Sequence, residues 1–584
     1  MSVIPNRRPV NAVGALTGHI ATPKLRAKSS ERVFLAAIAL VQLLVLFTSL
    51  DNAYLSIGEG NTAQLGKNVL EYGYPKAWDG NYLVVPLYET TVNDDLAWVS
   101  HPWLQYYLAA AGILVFDTTS LGARFFFVLC GIGAVIALYF LALRISSCGR
   151  LALLATLIFG LHPLFWFYSR QSRYYAPTML LMALAALTYL NWADRQSKRN
   201  LAFFIVSSAL LFYSLYTVWG FTMLAIGVHY LLFRRTRQNF VQFALAAAAI
   251  GVLTLPFFLY APPHFHFERP PTLEGYPLRL LVHLWKIHTL YYPLLTLPVL
   301  LGIVALVARA SGAKKTETTL GWRNEYWLLL AVPAYVLFIV VYPFFTTHYM
   351  LPVLPAGAIV TAYFVLKIRE YNRWIAAPVL ALLFATNILH VLPYILVDKL
   401  NLGSGRVESV LSNPTWTHTP GTPLSHYLTE QLAVRFYAFD FFDFLTNDYR
   451  HELKGVITYL KENASPDQTV YVPWNDADAV AFYTGMKVRY HLDTTFFKNE
   501  HLKSLAPKGD DADWINPLTF DIPPHRYLSA KFFDDYERIK FPYPKEYFET
   551  YPNIDFFGFR TNNAAPSWFY LFKSKTKGVT DGQH

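Results

Sequence analysis

Over the first two thirds of the chain, long apolar runs alternate with short polar connectors. Runs of about 17–25 apolar residues are long enough to cross a bilayer as helices. Such runs fall at 33–50, 121–143, 151–168, 176–192, 201–215, 220–233, 240–260, 290–308, 326–345, 349–366 and 375–397. The pattern predicts a polytopic α-helical membrane protein of about eleven transmembrane helices. The fifth and sixth runs are short and share a tight connection near Trp219-Gly220. The run at 33–50 follows a basic segment, 1–32, but lacks a small-residue cleavage site, so it reads as a retained first span rather than a signal peptide.

Charge orients these spans. With the N-terminus in the cytoplasm, the connectors on that side carry 21 Lys and Arg and the opposite connectors 7. That asymmetry is the positive-inside pattern. An odd number of spans then leaves everything after residue 397 outside the cytoplasm.

Two polar regions lie on that outer side. The first loop, 51–120, contains a short helix with Leu65, Val69 and Tyr72 on one stripe, capped by Asn61 and laid in the membrane interface. Gly73 and Pro75 end it, and Asp79-Gly80 turns the chain. The second region, 398–584, loses the long apolar runs and is long enough for its own core. Helical spacing at 450–462, a break at Pro466-Asp467, alternation at 469–472, then 477–483 and 487–490 predict a small extracytoplasmic α/β domain. The aromatic stretch RFYAFDFFDFL, 435–445, is expected at the membrane interface.

Composition narrows the class. The 584 residues are 54% hydrophobic, 17% aromatic and 15% charged, too apolar for an ordinary soluble protein. The net charge of +10 sits in clusters between apolar runs, which argues for topology and against a nucleic-acid surface. Cys130 and Cys148, on one continuous helix, would be about 27 Å apart, beyond disulfide reach.

Several stretches occur in a telling order. An acidic motif follows span one, then come HPWLQYYLAAAGILVFDTTSLGARF, YSRQSRYYAPTMLL after span three, and THYMLPVLPAGA opening a late span. In that order the chain resembles the GT-C superfamily of polyprenyl-phosphate-sugar-dependent glycosyltransferases, in the branch of bacterial protein O-mannosyltransferase-like enzymes and the lipid A aminoarabinose transferase. The resemblance covers about residues 33–370 well and the tail loosely. It implies a multi-pass enzyme of the bacterial cytoplasmic (inner) membrane. Such an enzyme takes a sugar from a lipid-phosphate carrier on the outer face, with inversion, and passes it to a lipid, glycan or protein hydroxyl. Many relatives carry an Asp-Glu pair at the start of the first loop; here it reads Gly58-Glu59.

Transfer from a glycosyl phosphate needs a base for the acceptor hydroxyl and cations for the departing phosphate. Glu59, just past span one, is the candidate base or acceptor-binding acid; the alternative is a carboxylate paired with an arginine to hold the loop. Asp94 or Asp95 could replace the absent Asp, or form a solvated turn. Arg170 and Arg173 share a helical face at the outer end of span three, where charge bias offers no reason for arginine, and guanidinium groups suit phosphate. Their alternative is snorkelling to lipid headgroups. His101, Arg124 and the pair His348-Tyr349 are further phosphate-binding candidates. Arg124 could instead pair with Glu59 or Asp117, and His101 could cap the next helix. His264, His266 and Glu268 have a metal-like spacing that is common by chance, so no metal or other cofactor is expected. A polyprenyl-phosphate transporter or flippase, or a degenerate scaffold, remains the alternative to an enzyme; a transporter usually shows internal pseudo-symmetry, and no such duplication is evident.

Overall fold

The apolar intervals are helical in the structure, a computed structural model. It describes residues 28–55, 57–86, 91–261, 276–312, 323–341, 347–399, 436, 442, 445–446, 452–472, 474–490, 499–505, 512–516, 535–544 and 568–575. The candidate metal loop at 264–268 and most of 435–445 lie outside the described residues.

The first helix, α1 (Ser29–Phe47), leads into the first loop, which carries α2 (Ile57–Tyr72) and α3 (Leu104–Phe116). Then follow α4 (Ser120–Ser146), α5 (Gly149–Gly160), α6 (Pro163–Ser169), α7 (Tyr175–Arg195), α8 (Lys198–Ser214), α9 (Tyr216–His229) and α10 (Arg237–Tyr260). The later helices are α11 (Tyr276–Leu290), α12 (Thr296–Ala310), α13 (Ala331–Ile339), α14 (Val353–Tyr371), α15 (Arg373–Ala385) and α16 (Ile388–Lys399). Among the described residues, five helices are long and apolar enough to cross a membrane, or six if α5 and α6 form one bent span. Helix length alone therefore does not reproduce the count of eleven.

The differences from the sequence pattern have local causes. The interval at 151–168 is broken by a 64° bend. Pro163 starts a new helix there, and the His162 side chain accepts from the Leu164 N–H as its cap. The interval at 375–397 splits into α15 and α16, and the one at 349–366 begins in a 3₁₀ turn, Thr347–Met350. Helix α11 falls outside the predicted runs because Arg279, His283, Lys286 and His288 interrupt its apolar spacing.

Helix α2 also differs. Asn61 lies inside it, not at its cap, and bonds outward to Asp478. Part of the polar face of α2 is buried. Gln64 is fully buried and donates to Asp79 (3.0 Å), and Asn68 donates to the Lys76 carbonyl (2.7 Å). What covers it is the C-terminal region, where α17 (Glu452–Asn463), β1 (Thr469–Tyr471), α18 (Trp474–Thr484) and β2 (Lys487–Arg489) follow the predicted order. The chain continues through α19 (Glu500–Leu505), β3 (Trp514–Ile515), β4 (Tyr536–Pro544) and β5 (Trp568–Ser574). The sheet order is β2-β1-β3-β5-β4, with β1 parallel to β2 and β3, and β5 antiparallel to β3 and β4. One apolar cluster runs from Leu55, Leu65, Trp98 and Tyr106 in the first loop to Val456, Val480 and Trp514 in the tail. Loop and tail domain are thus packed together as one layer on the helical body.

Candidate active site

The first turn of α2 brings Glu59 directly beneath α18 and beside the segment joining α6 to α7. A carboxylate there benefits from the free N–H groups of the helix start. Its main partner is Arg124 on α4: Nε donates to Oε1 and Nη2 to Oε2, both at 2.8 Å. The Ser172 N–H adds a third bond to Oε1 at 3.0 Å. Arg124 spends its other donors on the Leu50, Ala53 and Tyr54 carbonyls, at 2.9, 2.7 and 3.2 Å. All five guanidinium N–H groups are thereby used, and the pair is buried, with Glu59 2% and Arg124 6% exposed. This is the loop-holding ion pair, not an open base beside a free phosphate ligand. For both residues this is the structural ion pair that the sequence left open as the alternative.

Arg170 has a different fixed task. Its Nη1 donates to the carbonyls of Val45, Leu46 and Thr48 (3.0, 3.3 and 2.7 Å), and Nη2 to that of Ser49 (3.1 Å). These are the last carbonyls of α1 and the turn after it, which have no intrahelical donors and favour a cation. Arg170 clamps the end of α1 and is 7% exposed.

Arg173 stands apart from the other two. Its Nη1 donates to the Gly58 carbonyl at 3.1 Å and to Thr62 Oγ1 at 3.3 Å. Nε has no hydrogen-bond partner among the described residues, and no ion pair of Arg173 occurs among them. The side chain lies on Gly58, where a Cβ would sit 3.3 Å from Nε. Around it, His101 stacks on Tyr174 (5.7 Å between ring centres), Tyr174 meets Tyr175 (4.8 Å), and Tyr175 meets His348 (5.7 Å). His348 in turn meets Tyr349 at 4.5 Å. Burial, with the Arg173 charge adding to it, pushes the His348 imidazole down to about 3. His348 is therefore a neutral hydrogen-bonding group here.

Asp94 and Asp95 are not brought to this cluster. Both are exposed; Asp94 accepts from Asn499 Nδ2 (3.3 Å) and Asp95 from the Tyr260 hydroxyl (3.2 Å). They lie in a solvated turn, the alternative that the sequence offered for them. No group of three or more metal-ligating side chains occurs among the described residues.

The tail contributes residues that sequence reasoning missed. Tyr483 on α18 stacks on Tyr54 (4.3 Å), shares a 2.6 Å hydrogen bond with Ser120 Oγ, and accepts from the Leu55 N–H at 3.1 Å. Asp478, five residues earlier on the same helix, accepts from Tyr82 (2.5 Å), the Val85 N–H (3.3 Å) and Asn61 (3.3 Å). The available signal was a pair of acids, Asp476 and Asp478, set among alanines in an otherwise apolar helix, which buries charge at a cost unless it has partners or a task.

Comparison with known proteins agrees with this fold. Residues 100–260 match the dolichyl-phosphate-mannose-protein mannosyltransferase family. Crystal structures of ArnT from Cupriavidus metallidurans, one bound to undecaprenyl phosphate and one in the apo state, superpose with a TM-score of 0.51 each. Their identities are 15% and 16%, and in both the match covers 82% of this chain and 90% of ArnT. An uncharacterized protein of Aquifex aeolicus (strain VF5) is 24% identical over 229 residues, 39% of this chain and 43% of that relative. The chain therefore has an ArnT-like, mostly helical fold with several helices apolar and long enough to cross a membrane.

Proposed function

We propose that the protein is an integral membrane glycosyltransferase that moves a sugar from a polyprenyl-phosphate donor to a hydroxyl acceptor on the extracytoplasmic face, with inversion. The carrying observation is Arg173. Of the three arginines at this face, Arg124 is saturated by Glu59 and carbonyls and Arg170 by the end of α1, while Arg173 has no anionic partner among the described residues. A half-buried guanidinium in that condition suits phosphate, which it can meet through two N–H groups. His348 and Tyr349 offer it neutral hydrogen-bonding groups, and His101 stacks on Tyr174 beside it. The departing polyprenyl phosphate is a weak base, so holding its charge at Arg173 lowers the barrier without a strong general acid. Glu59 acts through position: it fixes Arg124 and the Ser172 N–H, one residue before Arg173. That the similar ArnT structure was solved with undecaprenyl phosphate supports the carrier class. The excess of Lys and Arg on one side supports a cytoplasmic N-terminus and an outer tail domain in the inner membrane.

The test is release of undecaprenyl phosphate by the purified protein from a panel of undecaprenyl-phosphate-linked sugars, with undecaprenyl phosphate binding measured alongside. Losing charge-assisted hydrogen bonds of about 1.5–3 kcal/mol in Arg173→Ala should weaken binding about tenfold to a hundredfold. Arg170→Ala should instead lower thermal stability and leave affinity per folded molecule nearly unchanged. Equal binding by wild type and Arg173→Ala refutes the phosphate assignment. Binding without release from any donor in the panel favours a carrier transporter over an enzyme.

A further inference from the structure

The transfer reaction needs a base, and the chelated Glu59 is poorly placed to be one. We propose that Asp478, delivered by α18 from the tail domain, is the base that takes the acceptor's hydroxyl proton. This rests on the glycosyltransferase reading above. In the step, the acceptor oxygen bonds to the anomeric carbon while its proton passes to an Asp478 oxygen. The bond from the anomeric carbon to the phosphate oxygen breaks, and its electron pair leaves on the polyprenyl phosphate at Arg173. Asp478 returns the proton to water after product departs.

Position carries the assignment. Gly58, Asn61 and Thr62 are spaced i, i+3 and i+4 on α2 and so share one face. Arg173 holds the Gly58 and Thr62 end of that face, and Asp478 Oδ2 holds Asn61. The leaving-group cation and the carboxylate therefore border the same two helical turns, close enough for the Arg173 charge to act on Asp478. Gly60 makes this approach available: a Cβ there would lie 2.8 Å from the Ala479 nitrogen, so only glycine lets α18 come down onto α2.

Occupancy points the same way. Asp478 has no ion pair among the described residues, whereas Glu59 has Arg124. Oδ1 takes the Tyr82 hydroxyl and the Val85 N–H, which orient the group; Oδ2 takes only Asn61, at 3.3 Å. That long contact is the one an acceptor hydroxyl would displace. Asp478 is 5% exposed, and its desolvation outweighs the bonds from Tyr82, Val85 and Asn61 and the charge of Arg173, raising the carboxyl to about 6. The other titratable groups about it are Tyr490 just past β2, Asp79 behind Tyr82, and Asp476 on its own helix. A base titrating near 6 is ionised at neutral pH and still takes up a proton well.

The experiment compares wild type with Asp478→Asn on whichever donor of the undecaprenyl-phosphate-sugar panel wild type turns over. The amide keeps an acceptor for Tyr82 and Val85 and can donate to Asn61 once that side chain flips, so the helix stays docked. The expected result is unchanged melting temperature and undecaprenyl phosphate binding, little change in KM, and kcat down about 10²- to 10⁴-fold. Asp478→Glu should recover part of the rate. The acid limb of the wild-type kcat profile, falling as pH drops through about 6, should be missing in Asp478→Asn. A kcat within about threefold of wild type, or an unchanged acid limb, overturns the proposal while leaving the glycosyltransferase intact. Release from no donor by wild type overturns the glycosyltransferase reading and this one with it. If Asp478→Asn melts early, Tyr82→Phe serves instead: it removes a donor that holds the carboxyl down, so the acid limb should move to higher pH, and an unmoved limb overturns the assignment.

Discussion

Replacing Arg124 tests whether Glu59 is a structural anchor. Arg124→Met leaves a carboxylate that is 2% exposed with the Ser172 N–H as its remaining bond among those described above, and strips donors from three carbonyls. Breaking a buried pair from one side costs about 3–5 kcal/mol, because the remaining charge is left without compensation. The lost carbonyl bonds keep the value at the upper part of that range. Removing both charges costs less than the worst single change, since the stranded carboxylate is gone. The double variant Glu59→Met with Arg124→Met should therefore be more stable than Arg124→Met alone, with a coupling of about 1–3 kcal/mol. The assay is chemical unfolding in mixed micelles followed by tryptophan fluorescence, with undecaprenyl phosphate binding at low denaturant as a second readout. An Arg124→Met destabilisation below about 1 kcal/mol, or strictly additive effects in the double variant, refutes the anchor role.

Two further outcomes follow from the seam between α2 and α18. Gly60→Val places side-chain carbon where the Ala479 backbone already is; overpacking of about 1–3 kcal/mol should loosen the tail domain, read as faster limited proteolysis in the 474–490 region, and an unchanged rate contradicts the packing. The second outcome concerns pH. Burial raises Asp476 to about 7, against about 4 in an unfolded chain, so between those values the folded state binds more protons than the unfolded one. Its stability contribution is therefore full below about 4 and lost as pH rises toward about 7. Wild type should gain thermal stability relative to Asp476→Asn when the pH falls from 8 to 5, and a constant difference across that range contradicts the shift.

The helical body was legible because its signal is local. Apolar runs and connector charge located a helix in each predicted interval, and the order helix, strand, helix, strand in the tail was visible from spacing within about forty residues. The pairing of Arg124 with Glu59 was one of two readings that residue chemistry allowed. Nothing in the sequence could choose between them, because a carboxylate and a phosphate attract a guanidinium alike. Arg170 illustrates the same ambiguity: an arginine at an outer helix end signals an anionic partner, but the carbonyls ending α1 satisfy it as well as a phosphate would. The role of α18 was beyond reach for another reason. Asp478 meets Asn61 across 417 positions and Tyr82 across 396, and no periodicity links residues so far apart. Asp94 and Asp95 drew attention by sequence proximity to Glu59, but the isolated bridges pairing Lys76 with Ala97 and Val92 with Trp98 fold that loop so that both acids face outward.

Gly58 can now be weighed against the Asp-Glu pair that the GT-C resemblance leads one to expect. With no side chain at 58, the Arg173 guanidinium settles onto the α2 backbone and bonds to the Gly58 carbonyl. An aspartate there would reach Arg173 at salt-bridge distance and neutralise the cation assigned here to phosphate, at least until the donor competed for it. Its absence therefore need not mark a dead site. What glycine removes is an acid beside Arg173; what the tail supplies, on the adjoining position of the same helical face, is Asp478. The cation and the acid of the proposed reaction then belong to different layers, Arg173 to the helical body and Asp478 to the domain above it. A glycosyltransferase divided in that way would be assembled only when α18 is seated on α2, which ties turnover to docking of the tail domain rather than to the membrane portion alone.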